Sequence, residues 1–416
     1  MRFTKFLMQV FVCLLSSQLL FAEPSTKTVA SDSSSSSIEN GAATSLSVSD
    51  LTQKLTDAKQ LLHAQGSSNS STVSLAAFDS RADRTHLVSL EKDQFLAKGG
   101  DYRLTSQLGA NLRVRIVRPN GVNTAVTVSD TATGNTLFPL MVRYPIERDG
   151  NVQPAYYVSA HQALISDDLV ASGRTYVTTM LDQAAQDLAA NGVVIPQDIV
   201  AVAAHLVIVE HTDHQRFLNE NRADIYPEVL SLYALNRGDT FRYSVSSAGA
   251  GGMIQMIPKT YQAIREHHPN VALDADFVSG MQDHANALKA MLLYINDTWK
   301  FLQSSDEVQQ ALQSGSATKT ELLAAGYNSN PYKLPSYLSN GGSAWRSLIP
   351  AETQMYLAIY QSVDSNVDFQ VGSTHSVVAT TTAPLFAPAA SLARETTAAL
   401  VSWVGSYLSP SLLLNR

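Results

Sequence analysis

Ser246-Ser247-Ala248-Gly249-Ala250-Gly251-Gly252-Met253-Ile254-Gln255-Met256-Ile257-Pro258 interrupts a helical half of the chain, and three glycines within four positions exclude it from being a helix itself. Gly249, Gly251 and Gly252 let the backbone turn tightly and let a ligand approach the main chain closely. Gln255 carries both a donor and an acceptor, as an amide facing a polar, hydroxyl-rich ligand should. No Lys-Ser/Thr pair follows the glycines, so the segment is not a phosphate loop. On both sides, apolar residues recur at i, i+3, i+4 spacing over 167–190, 197–212, 224–236, 258–267, 283–302, 305–313, 318–327 and 349–362. That periodicity predicts a compact helical domain over 166–370.

A second informative stretch is Leu322-Leu323-Ala324-Ala325-Gly326-Tyr327-Asn328-Ser329-Asn330-Pro331. The first segment resembles the S-x-x-G-A-x-G-[LM]-[MI]-Q-x-x-P motif of lytic transglycosylases of the soluble-lytic-transglycosylase type, in the lysozyme-like superfamily. The second is similar to their A-x-Y-N-x-G-P motif and falls in the expected order. Gly326 precedes the tyrosine and Asn330 stands where glycine is usual, a position for which Asn is suited by its tolerance of the left-handed region. The resemblance implies an α+β fold: a mainly α-helical, lysozyme-like catalytic domain preceded by a small β-rich subdomain. It implies Ser246, Gly249, Met253, Gln255, Tyr327 and Asn328 as substrate-binding residues, with Tyr327 near the reacting sugar and Ser246 bonded to the acid or to the sugar's N-acetyl group. No cofactor is expected.

Family members place a catalytic glutamate at the end of an apolar helix a short turn before the first motif. Simple spacing puts that position near Arg237, where no glutamate lies; Glu210, Glu220, Glu228 and Asp239 are the candidates. Glu210 is preferred because Ile199, Ala203, Leu206 and Glu210 step along one helical face, leaving a carboxyl at the end of an apolar stripe. Desolvation there favours the protonated form a general acid needs. Glu228 and Asp239 are the alternative acids. The choice implies an insertion of roughly thirty residues, 212–242, which surface loops tolerate and which is expected to form an extra helix and a lip over the groove. His205, His211 and His214 do not form a zinc motif, since Glu210 precedes His211 and no H-E-x-x-H spacing occurs. These histidines are expected to be solvated or helix-terminal, and no metal is expected.

The implied activity is cleavage of the MurNAc-GlcNAc β-1,4 bond of peptidoglycan by one Glu acting as acid and base, leaving 1,6-anhydromuramoyl ends. Two other outcomes stay open on the same fold: a hydrolytic muramidase, and a non-catalytic peptidoglycan-binding or wall-assembly protein.

Towards the N-terminus the pattern changes. Leu112, Val114 and Ile116 alternate, as do Val126 and Val128, with Pro119-Asn120-Gly121 between them, predicting a hairpin. A second hairpin is expected between 140–146 and 155–158 across Asp149-Gly150. These place a β-rich subdomain at 76–165, a scaffold or cap rather than a catalytic unit. Residues 23–75 read as a Ser-rich linker with a short amphipathic helix at 48–64 carrying Leu51, Leu55, Ala58 and Leu61 or Leu62. Met1 to Ala22 has the charged start, apolar run and small-residue end of a secretory signal, so a periplasmic or secreted location is expected. The single cysteine, Cys13, lies inside that run. After a linker at 371–390, an amphipathic helix at 391–408 within 391–416 carries Leu392, Leu400, Trp403 and Tyr407; it either docks on the protein or contacts a membrane or partner.

The 416 residues carry a net charge of −7 and 45% hydrophobic residues. No extended Lys/Arg cluster occurs, which excludes nucleic acid as an expected partner. Peptidoglycan glycan strands are the expected one, recognised by a local groove rather than by long-range charge.

Overall fold

In a computed structural model describing residues 47–66, 71–148, 150–159, 161 and 164–369, the first element is α1 (Val48–Ala64). The signal segment and the linker and helix expected over 371–408 lie outside these residues. Ser47 caps α1 through the Asp50 N–H, and Leu51, Leu55, Ala58 and Leu62 are buried while Leu61 points outward. Its C-terminal carbonyls are closed by the buried Arg143, whose guanidinium donates to the carbonyl oxygens of Leu62 and Gly66.

Seven strands form one antiparallel sheet: β1 (Thr72–Asp79), β2 (Arg84–Glu91), β3 (Asp101–Thr105), β4 (Asn111–Arg118), β5 (Ala125–Asp130), β6 (Thr136–Arg148) and β7 (Asn151–Tyr157). The order is β2-β1-β6-β5-β4-β3, with β7 on β6; α2 (Lys92–Phe95) is a single turn between β2 and β3. Both expected hairpins are present as β4–β5 and β6–β7, and β4 alternates exposed and buried residues as read. The sheet starts earlier than expected, at Thr72, and α1 packs on it rather than sitting in a linker. Long β6 spans the sheet's two halves. Where Pro139 enters it the register with β1 shifts between Ala76 and Ala77, the kind of bulge at which a strand tolerates a residue without an N–H. The sheet then curls until its edges meet: the Gln107 N–H donates to the Leu87 carbonyl (3.1 Å) and Gln107 Nε2 to that of Thr85 (3.1 Å).

The helices that follow are α3 (Asp167–Ala190), α4 (Gln197–Val209), α5 (His214–Asn219), α6 (Arg222–Asn236), α7 (Pro258–His267), α8 (Phe277–Gln282), α9 (His284–Leu302), α10 (Asp306–Gln313), α11 (Lys319–Asn328), α12 (Leu334–Gly341) and α13 (Ala351–Asn366). One buried cluster runs from the inner face of the sheet (Val73, Leu75, Val114, Val128) through α3, α4, α6, α9 and α13, and all the described residues fall in one compact unit. A second cluster lies between the other sheet face and α1. No described helix is long and apolar enough to cross a membrane.

The 212–242 segment is not a lip. It supplies α5 and α6, and α6 is core: nine consecutive or near-consecutive side chains between Ile225 and Leu235 are buried. A Cβ at Gly173 of α3 would lie 1.8 Å from the Leu230 carbonyl oxygen, so α3 and α6 cross at backbone contact. Asn236, at the end of α6, exchanges two hydrogen bonds with the backbone of Val158 (2.8 and 2.9 Å), joining the helix to the end of the sheet.

Candidate functional site

Helix α4 is buried well beyond the apolar stripe of Ile199, Ala203 and Leu206: Val200 and all residues from Val202 to Val209 are buried, so it is a central helix. It ends at Glu210, its C-cap. The Tyr356 hydroxyl, from α13, donates to Glu210 Oε1 at 2.6 Å. Burial pushes the Glu210 carboxyl up to about 8; the Tyr356 bond opposes that rise and the carboxylate of Glu352 adds to it. Glu321 shows the opposite result for a buried carboxylate. Burial also pushes it up, but the Arg346 guanidinium grips it (2.6 and 2.7 Å) and holds it below the ordinary range. Among the described residues no such cation acts on Glu210, so it holds its proton at neutral pH.

The Gly-rich segment folds as a tight pair of backbone loops. Ser246 N–H donates to the Ala250 carbonyl (2.9 Å), Ala250 N–H to Ser246 Oγ (3.0 Å), and Gly251 N–H to the Met256 carbonyl (3.0 Å). Gly252 is required for two reasons: its φ is +70°, and a Cβ there would sit 2.3 Å from the Met281 carbonyl oxygen. Gln255 itself adopts the left-handed conformation (φ 46°, ψ 42°), stabilised by its side-chain amide donating to the Gly252 carbonyl at 2.8 Å. Pro258 then starts α7 at a position where a missing N–H costs nothing.

Two hydrogen bonds hold this segment, one from the residue next to Glu210 and one from α11. His211, next to Glu210, donates from Nε2 to the Met253 carbonyl at 3.0 Å and stacks flat on Phe241 (centroids 3.5 Å apart, 4° between planes). Burial pushes its imidazole down to about 3, so it is neutral although it stands at a helix end. From α11, the Tyr327 hydroxyl donates to the Ile254 carbonyl at 2.7 Å, and its ring meets Tyr294 edge-on. The charge on Glu210 acts on both the Tyr327 and Tyr356 hydroxyls.

The structure therefore brings Glu210, the Gly-rich segment and Tyr327 together. It alters several individual roles. Ser246 Oγ bonds within its own loop to Ala250, and the partner on Glu210 is Tyr356 instead. Met253 is fully buried and supports the segment from behind, and Gln255 spends its amide N–H on Gly252. Asn328 Oδ1 accepts from the Thr353 hydroxyl (2.9 Å), tying α11 to α13. Asn330 is extended (φ −73°, ψ 107°), not left-handed, and its side chain accepts from the Tyr332 N–H.

The alternative acids lie in other settings. Glu228 is held by two arginines, Arg118 (2.6 Å) from β4 and Arg216 (2.8 and 2.9 Å) from α5. Asp239 has a half-exposed side chain paired with Arg242 at 3.1 Å. Tyr356 escaped the sequence reading: it lies on the expected helix at 349–362, where an aromatic at helical spacing is indistinguishable from a core residue. Among the three histidines considered for zinc, His205 contacts the carbonyls of Ala201 and Val367, and His211 that of Met253. No family model, no curated protein and no solved structure matches this chain.

Proposed function

We propose that the protein is a peptidoglycan lytic transglycosylase with Glu210 as its single acid and base. One observation carries the reading: a carboxyl at the end of a buried apolar helix, pushed up to about 8, hydrogen-bonded by Tyr356 and adjacent to His211, which bonds the Gly-rich segment that Tyr327 also bonds. An acid held in that range is protonated at neutral pH yet gives up its proton readily, which suits protonation of a glycosidic oxygen.

In the proposed reaction Glu210 protonates the oxygen bridging N-acetylmuramic acid and N-acetylglucosamine. The resulting carboxylate, still hydrogen-bonded by Tyr356, takes the proton of the muramic acid C6 hydroxyl as that oxygen closes on C1. The glycan is cleaved, a 1,6-anhydro ring forms, and Glu210 regains its proton. No second nucleophilic carboxylate is needed, unlike the two-carboxylate scheme of most glycosidases. Ser246 is exposed and uses only its acceptor in the loop, so its hydroxyl hydrogen remains for a sugar oxygen.

The test is incubation of purified sacculi with the wild-type protein and with Glu210→Gln, followed by mass spectrometry of the soluble products. Anhydromuropeptides from the wild type alone are expected. Reducing-end products would make the enzyme a muramidase, and no products from either protein would support the non-catalytic wall-binding or assembly reading instead.

A further inference from the structure

Helix α7, which begins directly after the Gly-rich segment, ends in His267, and His268 follows as its C-cap. Within a continuing helix, adjacent side chains diverge by about 100°. Here the helix stops: His268 takes φ −118° and ψ 61°, and its ring swings round to stack on that of His267 (centroids 4.8 Å apart, 22° between planes). Both imidazoles consequently face one carboxylate, Asp297 of α9. His268 Nε2 lies 2.6 Å and His267 Nδ1 3.4 Å from Asp297 Oδ2, and the donor atoms of all three residues lie within 4.8 Å of one another. The three residues line a surface cleft of about 410 Å³, walled on the far side by Gly192, Val193 and Val194.

A single ion pair does not need this arrangement. The bond from His268 takes up one lone pair of Asp297 Oδ2, and Lys300 approaches the other oxygen, Oδ1, at 3.3 Å. His267 is 72% exposed, held by the ring stacking on His268, and its Nδ1 faces that same oxygen. For a tetrahedral ion with bonds of about 2.05 Å, neighbouring ligand atoms lie about 3.3 Å apart. The His267–Asp297 separation already has that length, the His268 ring has to retreat from Asp297 by less than about 1 Å, and the two imidazole donor atoms, within 4.8 Å of each other, have to come to the same spacing.

We propose that His267, His268 and Asp297 form a binding site for a borderline divalent transition cation, zinc above all. Two imidazoles and one carboxylate are the donor set such ions prefer, whereas calcium and magnesium require mostly oxygen ligands. Binding displaces the proton that His268 Nε2 shares with Asp297 to solvent or to its own Nδ1, and both imidazoles coordinate in their neutral form. Three protein ligands leave one position for water. The ion joins the C-terminal end of α7 to α9, and so braces the helix that carries the Gly-rich segment at its other end.

The test uses the whole chain, purified without a histidine tag and stripped with chelator. Calorimetric titration with zinc chloride, with cobalt(II) as a spectroscopic probe, is expected to give one ion per chain and visible cobalt bands of a four- or five-coordinate site. His267→Ala, at an exposed position that leaves folding unchanged by circular dichroism, and Asp297→Asn are each expected to weaken zinc binding at least tenfold. Absence of zinc binding at micromolar concentration, wild-type affinity in both variants, or equal affinity for magnesium would each overturn the assignment.

Discussion

Replacing Glu210 with Gln tests the central electrostatic claim without a substrate. The amide keeps an acceptor for the Tyr356 hydroxyl and nearly the same volume, but it cannot ionise. In the wild-type protein the carboxyl stands at about 8 in the fold against an ordinary 4.5. Between those values the folded chain binds one proton more than the unfolded chain, so this group's contribution to stability is complete below pH 4.5 and is lost as pH rises towards 8. At about 1.4 kcal/mol per pH unit the loss accumulates to about 5 kcal/mol. Glu210→Gln has no such slope. Urea unfolding of both proteins across that interval is therefore expected to show similar stability at pH 4.5 and a widening advantage for the variant, level above about pH 8. Groups elsewhere titrate alike in both proteins and cancel in the difference. Parallel curves, differing by less than about 1 kcal/mol throughout, would show that Glu210 ionises as it does in water and would refute its standing as a neutral-pH acid.

Tyr356→Phe removes the one hydroxyl that favours the charged carboxylate, so Glu210 is expected above about 8; the alkaline limb of a pH–rate profile should move up while turnover falls by about tenfold or more. Glu228→Gln leaves Arg118 and Arg216 without their shared carboxylate and is expected to cost about 2–4 kcal/mol in urea unfolding. Its turnover per folded molecule should be unchanged, and lost turnover at full stability would transfer the acid role to Glu228. Gly252→Ala combines a positive φ with a Cβ 2.3 Å from the Met281 carbonyl oxygen; a loss of about 2–4 kcal/mol, read as a lowered thermal midpoint, is expected.

How legible each part was depended on how local its cause is. Helices α1, α3 and α7 were readable to the residue, because a capping serine at Ser47 or Ser166, or a leading Pro258, marks the start, and the apolar spacing marks the extent. The β4–β5 hairpin was readable because one face is wet and the alternation survives. Strand β1 was not. Its residues Thr72-Val73-Ser74-Leu75-Ala76-Ala77-Phe78-Asp79 are buried on both sides, between α1 and the main core, and a strand covered on both faces has no alternation to show. Helices α4 and α6 were readable as helices over 197–212 and 224–236, but their burial on every side was not, because it comes from neighbours distant in sequence.

The site divides along the same line. From the Gly-rich segment alone, a tight turn and a close backbone approach could be inferred, because glycine's freedom is a property of the residue. From Glu210 alone, only a carboxyl at the end of an apolar helix could be inferred. Its elevation to about 8, its bond to Tyr356 and the bonds of His211 and Tyr327 to the glycine loops were decided by tertiary structure. Desolvation and hydrogen-bond partners are set by whatever packs against a group, and here the partners come from 42 to 146 positions away along the chain.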